Sequence, residues 1–382
     1  MSNSLNSETL IPLLKSHFGL NLSRIKCMSI MILALLESKS VNLARLCLTS
    51  QSNVLSDSTY KRMKRFIANN SFCPSQLISF IMNILNLDET TTLILDRTNW
   101  KFGKTHINIL YLAISYKGLG IPIVWTWLED KKRGNSDHFD RIDLIETFMK
   151  MIDKTRIKVI LGDREFIGFH WIHWLEENKI PYIFRLKENG QYISNAHGKM
   201  VMAHSLCLTL KAGESISFGK RKIGKTDPYE TYVSGLRNHT GEIVMLLHSE
   251  SIKEPYKVYR ERWQIEVLFR LLKSGGFDLE TTHVTHPERL DTLLSVLAIA
   301  LIFSAMVGLH YEEHKKIPIK KHGFKEKSST RVGLDCLIML IRNTKKFLDL
   351  NKTLRLAFEC VLAIAQKLPI PKISEGAKKI VP

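Results

Sequence analysis

Paired cysteines are missing from this chain. Its six, Cys27, Cys47, Cys73, Cys207, Cys336 and Cys360, are widely scattered, and no two form a CxxC pair. Such spacing argues against a zinc module and a disulfide framework. The thiols read as small apolar fillers of a chain kept in a reducing compartment. Acidic residues are also scarce. There are 37 Asp and Glu against 55 Lys and Arg, a formal net charge of +18. That excess favours a polyanionic partner, through phosphate contacts and release of counterions. Long apolar runs are almost absent. Only Leu290 to Leu309, with Asp291 as its single charge, is long enough to suggest a membrane span. It lies within a helical region of an otherwise charged chain and is expected to be a buried core helix, so no membrane partner is expected. The polar start, Ser2 to Glu8, carries no cationic lead into an apolar run, and no signal peptide is expected. No internal repeat or low-complexity tract is present.

What remains is a chain of 382 residues, 45% hydrophobic and 24% charged, sufficient for two or three packed units. From Glu8 to about Leu87 apolar residues recur at helical spacing, as in Met28, Met31, Ile32, Leu35 and Leu36. Within this region Ser58 is a plausible helix N-cap, followed by Lys61, Arg62, Lys64 and Arg65 within about one and a half turns. These four cations are candidates for DNA phosphate contact. From Thr91 the period becomes that of strands. Thr92 to Leu95, Ile107 to Tyr116 and Ile121 to Leu128 read as strands, with Gly118-Leu-Gly120 as a turn. After a basic loop, Lys131 to Asn135, come a helix over Arg141 to Ile152, a strand over Lys158 to Leu161, a helix over His170 to Asn178 and a strand over Ile180 to Leu186. Three strands, helix, strand, helix, strand indicate a mixed α/β sheet. Lys187 to Pro255 reads as a β-rich insert, with strands at Leu206 to Leu210, Glu230 to Ser234 and Glu242 to Leu246 and a basic turn at Lys220 to Lys222. Helices return after Pro255 and run to about Gln366.

The segment Tyr259 to Lys273 carries most of the chemistry. On one α-helix, Tyr259, Arg262, Glu266, Arg270 and Lys273 fall within an arc of roughly 80°. Ile265, Leu268, Leu271 and Leu272 lie opposite, with Val267 and Phe269 at the margins. An ordinary amphipathic helix would gain only ~0.3–0.5 kcal/mol from each i,i+4 ion pair and does not explain one acid centred in a cationic stripe. A DNA-cutting site does: the acid ligates a metal while the cations and the phenol hold phosphates. Hard divalent cations need further oxygen ligands. Asp96 and Asp163 each follow a short apolar strand, where side chains emerge beside a sheet. Glu165 is an alternative to Asp163.

At these residues the chain resembles the DDE transposases of the insertion sequence four family. The family signature Y-x2-R-x3-E-x6-K is matched by Tyr259, Arg262, Glu266 and Lys273, and Arg270 keeps the charge of a further cation common four residues after the acid. Asp96 in LILDRTNWKFG and Asp163 in LGDREF match the first two acids, and YKRMKRFIAN is similar to the N-terminal DNA-binding region of the insertion sequence ten branch. The resemblance implies an α/β, ribonuclease H-like core over 89–186 and 256–310, interrupted by the β-rich insertion at 187–255. A helical DNA-binding region would occupy 1–88 and a helical C-terminal region 311–382. It implies cleavage of transposon-end DNA and strand transfer into target DNA, by cut-and-paste through a hairpin. Asp96, Asp163 and Glu266 would hold Mg²⁺, for which Mn²⁺ can substitute. The partners implied are double-stranded DNA, both terminal inverted repeats and target, and a second copy of the chain, in the cytoplasm of a bacterium at the nucleoid. Relatives stack a flipped base on an aromatic of the insertion, yet no Trp lies between Trp174 and Trp263. Trp263, beside Arg262, is the candidate for that task. A nuclease that cuts without joining and a non-catalytic DNA-binding regulator are the alternatives.

Overall fold

A computed structural model describes residues 5–50, 54–69, 72–87, 90–128, 134–187, 190–321 and 325–342. The basic residues Lys131 to Arg133, Cys360 and everything expected beyond residue 342 lie outside that set. The chain divides into two compact units, one of 1–86 with 274–382, the other of 87–273.

The first unit is helical. It comprises α1 (Ser7–His17), α2 (Leu22–Ser38), α3 (Leu43–Thr49), α4 (Ser56–Asn69) and α5 (Pro74–Leu85) from the N-terminal part, and later α10 (Pro287–His314) and α11 (Ser329–Arg342). Asn6, Asn21 and Asn42 start three of these helices by accepting the backbone N–H of Thr9, Arg24 and Ala44 at 3.2, 3.0 and 3.0 Å. α10 is long and apolar enough to cross a membrane, but 89% of its most apolar stretch is buried inside the protein. The expected core helix is therefore present, although it groups with the N-terminal helices, whereas the sequence reading assigned it to the catalytic core. The reason is packing. Phe303 of α10 meets Phe80 of α5, and Phe80 meets Phe18 after α1, with ring centroids 6.2 and 5.3 Å apart. Gly308 and Gly333 let α10 and α11 cross with their backbones touching; a methyl on either would strike the other helix's main chain. α4 begins at Ser56, so Ser58 lies inside its first turn and is not the cap. Met63, Phe66 and Ile67 bury one side of α4, and Lys61, Lys64 and Arg65 are exposed.

The second unit is built on one ten-stranded sheet, ordered β3-β2-β1-β4-β5-β10-β9-β8-β6-β7. β1 (Thr91–Phe102), β2 (Thr105–Tyr116) and β3 (Leu119–Trp127) form an antiparallel meander. β4 (Ile157–Gly162) pairs parallel with β1, and β5 (Tyr182–Leu186) pairs parallel with β4. α6 (His138–Met149) and α7 (Phe169–Glu177) provide the crossovers. Three antiparallel strands followed by two parallel ones, in the order 3-2-1-4-5, make a ribonuclease H-like core. The strands that lie inside it, Leu93 to Leu95 and Val159 to Leu161, are wholly apolar because both faces are covered.

The insertion continues this sheet. β6 (Tyr192–Ser194), β7 (Met200–Met202), β8 (Ser215–Ile223), β9 (Tyr229–Arg237) and β10 (Ile243–His248) add to the edge of β5, where Met245 to His248 run antiparallel to Leu186 to Ile183. Two local expectations are corrected. Leu206 to Leu210 is no strand: Ala203 to Cys207 forms a 3₁₀ turn. Ala203 and Cys207, four apart, both point into the core while Leu208 is 60% exposed, a helical and not an alternating pattern. Lys220 to Lys222 is no turn either but part of β8, opposite Tyr232 to Glu230. Its cations reflect an exposed strand, which bulges between Ser217 and Gly219.

α8 (Pro255–Tyr259), a 3₁₀ turn at Arg260–Arg262 and α9 (Trp263–Leu272) close the unit. α9 packs on β3 at Gly120, where an added methyl would stand 2.8 Å from the Gln264 carbonyl oxygen. The glycine thus sets how near the helix carrying Glu266 lies to the sheet. Gly120→Ala is expected to destabilise the protein by about 1–3 kcal/mol, as overpacking against backbone does. A lowered urea midpoint at unchanged slope would register it.

Candidate active site

Parallel pairing of β1 with β4 ends at Leu95 opposite Gly162. Asp96 and Asp163 are the next residues on the two neighbouring strands, which fixes their carboxylates side by side. Asp96 is not at a strand end, as the apolar run suggested. β1 continues to Phe102, because β2 keeps pairing its other side, with Asp96 opposite Tyr111. In both acids one oxygen is fixed by the main chain. Asp96 Oδ1 accepts the N–H of Arg97 at 2.7 Å, and Asp163 Oδ1 that of Glu165 at 2.9 Å. Asp96 Oδ2 faces Arg262 at 3.4 Å, and Asp163 Oδ2 accepts no hydrogen bond among the described residues.

Glu165 is occupied elsewhere. It pairs with Arg97 Nε at 3.0 Å and accepts the N–H and hydroxyl of Ser136 at 2.8 and 2.9 Å. Arg97 also donates to Asn108 and Asn135, at 3.1 and 3.2 Å. Arg141, 5% exposed, donates to Ser136 Oγ at 3.0 Å and to the Glu165 carbonyl at 3.1 Å. This network pins the segment before α6 to the loop after β4. The geometry therefore assigns Glu165 a positioning part and leaves Asp163 facing the site. Sequence periodicity gives no sign of Arg97, Ser136 or Arg141, whose shared partner Glu165 lies 24 or more residues away.

The third acid arrives on α9. The stretch expected as one α-helix tightens at Arg260–Arg262 into a 3₁₀ turn, a feature common where side chains are held in place. Glu261 there accepts the Ser115 hydroxyl of β2 at 2.6 Å, while Arg262 turns onto Asp96. Arg262, 17% exposed, donates to both Asp96 and Glu266 and so stands between them. The Arg262 guanidinium lies over the Tyr259 ring at 5.8 Å, and the buried Tyr259 hydroxyl has no hydrogen-bond partner among the described residues. Burial pushes the Tyr259 phenol up to about 12, so it remains a donor at any ordinary pH. Lys273 Nζ donates to the Asn99 carbonyl of β1 at 3.0 Å. Arg270 is exposed, and Trp263 is 52% exposed. Five of the expected residues thus converge: Asp96, Asp163, Tyr259, Arg262 and Glu266. Lys273 reaches the same strand as Asp96. Lys61, Arg62, Lys64 and Arg65 belong to the helical unit, where Arg62 donates to the Ser23 carbonyl at 2.9 Å.

The donor set fits divalent cations, which prefer carboxylate oxygens. Burial first, and then repulsion from Asp163, raises the Asp96 carboxyl to about 7. Its neighbours leave a deficit of positive charge that a bound cation would supply. The three acids are not drawn into a single-ion cluster. Among the described residues, only His310, Glu313 and His314, at the exposed end of α10, bring ligand atoms all within 4.8 Å. A pH dependence follows. With a folded value near 7 and an ordinary value near 3.8, Asp96 costs nothing below pH 4 and progressively lowers stability as pH rises to 7. Asp96→Asn is therefore expected to melt higher than the parent in chelator above pH 7, by at most a few kcal/mol at about 1.4 kcal/mol per unit. Thermal melts should show the two converging toward pH 4.

No curated protein matches this chain. Among solved structures it is similar to the piggyBac transposase in a cryo-EM synaptic complex with hairpin DNA, at 13% identity and a TM-score of 0.45, covering 97% of this chain and 83% of that one. The family model described as Transposase DDE domain matches residues 88–303, a span that contains Asp96, Asp163 and Glu266. Domains of that kind use divalent metal ions in catalysis, in keeping with three acids brought to one edge of a ribonuclease H-like sheet. With more than half of its length matched, the chain belongs to the DDE transposase family.

Proposed function

We propose that Asp96, Asp163 and Glu266 are the catalytic acids of this transposase and that they hold two Mg²⁺ ions, with Mn²⁺ able to substitute. The observation that carries the proposal is the convergence of Asp96, placed beside Asp163 by the pairing of β1 with β4, with Glu266, which Arg262 joins to Asp96. Bound there, the ions would activate water and later the freed 3′-hydroxyl, and would stabilise the departing 3′ oxygen. The protein's own groups do the rest. The main-chain N–H groups of Arg97 and Glu165 orient the two aspartates before DNA arrives. Tyr259 has a hydroxyl with no hydrogen-bond partner among the described residues, ready to donate to a phosphate oxygen. Arg262 would exchange its carboxylate pairing for a phosphate once the cations take over Asp96 and Glu266. Lys273 and Arg270 add charge along the strand's path, and Trp263, half-exposed next to Arg262, is placed to stack on a displaced base.

The reaction is the cutting of element-end DNA and transfer of the 3′-hydroxyl ends into target DNA, by cut-and-paste through a hairpin. The matched signature at Tyr259, Arg262, Glu266 and Lys273 supports membership of the insertion sequence four family, insertion sequence ten branch. In this reading residues 1–88, with Lys61, Arg62, Lys64 and Arg65, contact the terminal inverted repeats. Two copies would pair two ends, at the nucleoid of a bacterial cytoplasm.

Glu266→Gln is expected to retain binding of element-end DNA and to lose nicking in Mg²⁺; full nicking by that variant would remove Glu266 from the catalytic set. Lys273→Ala is expected to weaken DNA binding and to reduce the slope of log K against log salt by about 1. Titrations at several salt concentrations would measure it, and an unchanged slope would refute a phosphate contact.

A further inference from the structure

The last turn of α10 carries two imidazoles and a carboxylate that take no part in the acid cluster. His310, Glu313 and His314 stand three and four residues apart, which puts them on one face of the helix. They belong to the helical unit, whereas Asp96, Asp163 and Glu266 belong to the sheet unit. One ligand atom from each of the three lies within 4.8 Å of the other two.

Their hydrogen bonding is that of waiting ligands. His314 Nδ1 lies 3.0 Å from the His310 carbonyl oxygen. A carbonyl only accepts, so Nδ1 carries the proton and, in the neutral ring, Nε2 presents its lone pair. Metal-binding histidines are oriented in this way, through the ring nitrogen that does not coordinate. His310 is 16% exposed, and its Nε2 is buried with no hydrogen-bond partner among the described residues. Burial first, and then the neighbouring His314, lowers its pKa, so the ring stays in the neutral form that coordinates. His310 Nδ1 stands 3.5 Å from Glu313 Oε2. Ligands about 2.0–2.2 Å from a tetrahedral zinc ion stand roughly 3.3 Å from one another. The adjacent Glu312 is committed elsewhere, paired with Lys325 and accepting the Ser329 hydroxyl at 2.6 Å. Glu313 has only His310 as a partner among the described residues, and at 61% exposed it has room to close the set.

We propose that His310, Glu313 and His314 bind a transition-metal dication of the zinc class, with water in the fourth position. Two imidazole nitrogens select such an ion over Mg²⁺, which takes oxygen ligands. The ion's charge also suits the unpaired carbonyls at the end of a helix. Bound there, it staples the last turn of α10 and stabilises the helical unit, in a role separate from the ions of DNA cutting.

The probe is Zn²⁺ added to the full chain in excess Mg²⁺, which fills carboxylate-only sites, followed by calorimetric titration and thermal melting. The parent is expected to bind a Zn²⁺ ion under these conditions and to melt higher with it. His314→Ala and Glu313→Gln should each weaken that binding by roughly tenfold or more and lose the rise in melting temperature. Both positions are exposed, and a melting temperature unchanged in chelator separates lost coordination from lost folding. Asp96→Asn should bind Zn²⁺ as the parent does. Equal Zn²⁺ affinity in His314→Ala and the parent would overturn the site, as would a parent that binds no Zn²⁺ beyond its Mg²⁺. Loss of Zn²⁺ binding in Asp96→Asn would place the ion among the sheet acids and overturn the site as well.

Discussion

Two negative charges held next to each other by parallel strands organise the catalytic unit. β1 and β4 bring Asp96 and Asp163 out at adjacent positions, and burial makes the resulting repulsion costly. Several groups around them offset that cost. Main-chain N–H groups take one oxygen of each acid, and Arg262 reaches across to Asp96 and Glu266. Even with these partners, the Asp96 carboxyl stays well above the usual carboxylate range. A scaffold of that kind keeps its acids poised, since the rigid sheet and not the ligand sets their positions.

A second layer of contacts makes the poise durable. Glu165, Arg97, Ser136 and Arg141 form a largely buried network of mutual hydrogen bonds. Beneath the third acid, Gly120 allows α9 to come close to β3, and Phe269 meets Tyr111 edge-on at 5.6 Å. The amphipathic face read from the sequence is the buried one, with Ile265, Leu268, Leu271 and Leu272 inside.

How much of this the sequence disclosed depended on the range of the interaction. Strand and helix order through Leu186 follows from local periodicity, and it holds element by element. The acids were legible because strand ends and a cationic helix face are local patterns. The extent of β1 beyond Asp96 was not, since it depends on pairing with β2. The 3₁₀ turn at Arg260–Arg262 depends likewise on Ser115 and Asp96, far away in the chain. Position alone favours Asp163 over Glu165, since it lies nearer the strand end, but the engagement of Glu165 with Arg97 and Ser136 is invisible in the sequence. Lys220 to Lys222 looks like a turn in the sequence for the converse reason: charge density is local, whereas its pairing with β9 is not.

The docking of β10 along β5 has an evolutionary corollary. A ribonuclease H-like sheet that stopped at β5 would present a bare row of amide and carbonyl groups, an invitation to aberrant strand association. In this lineage the inserted hairpins occupy that row and bury Leu186 in a core of their own. Trimming the sheet back to β5 would thus expose a sticky border.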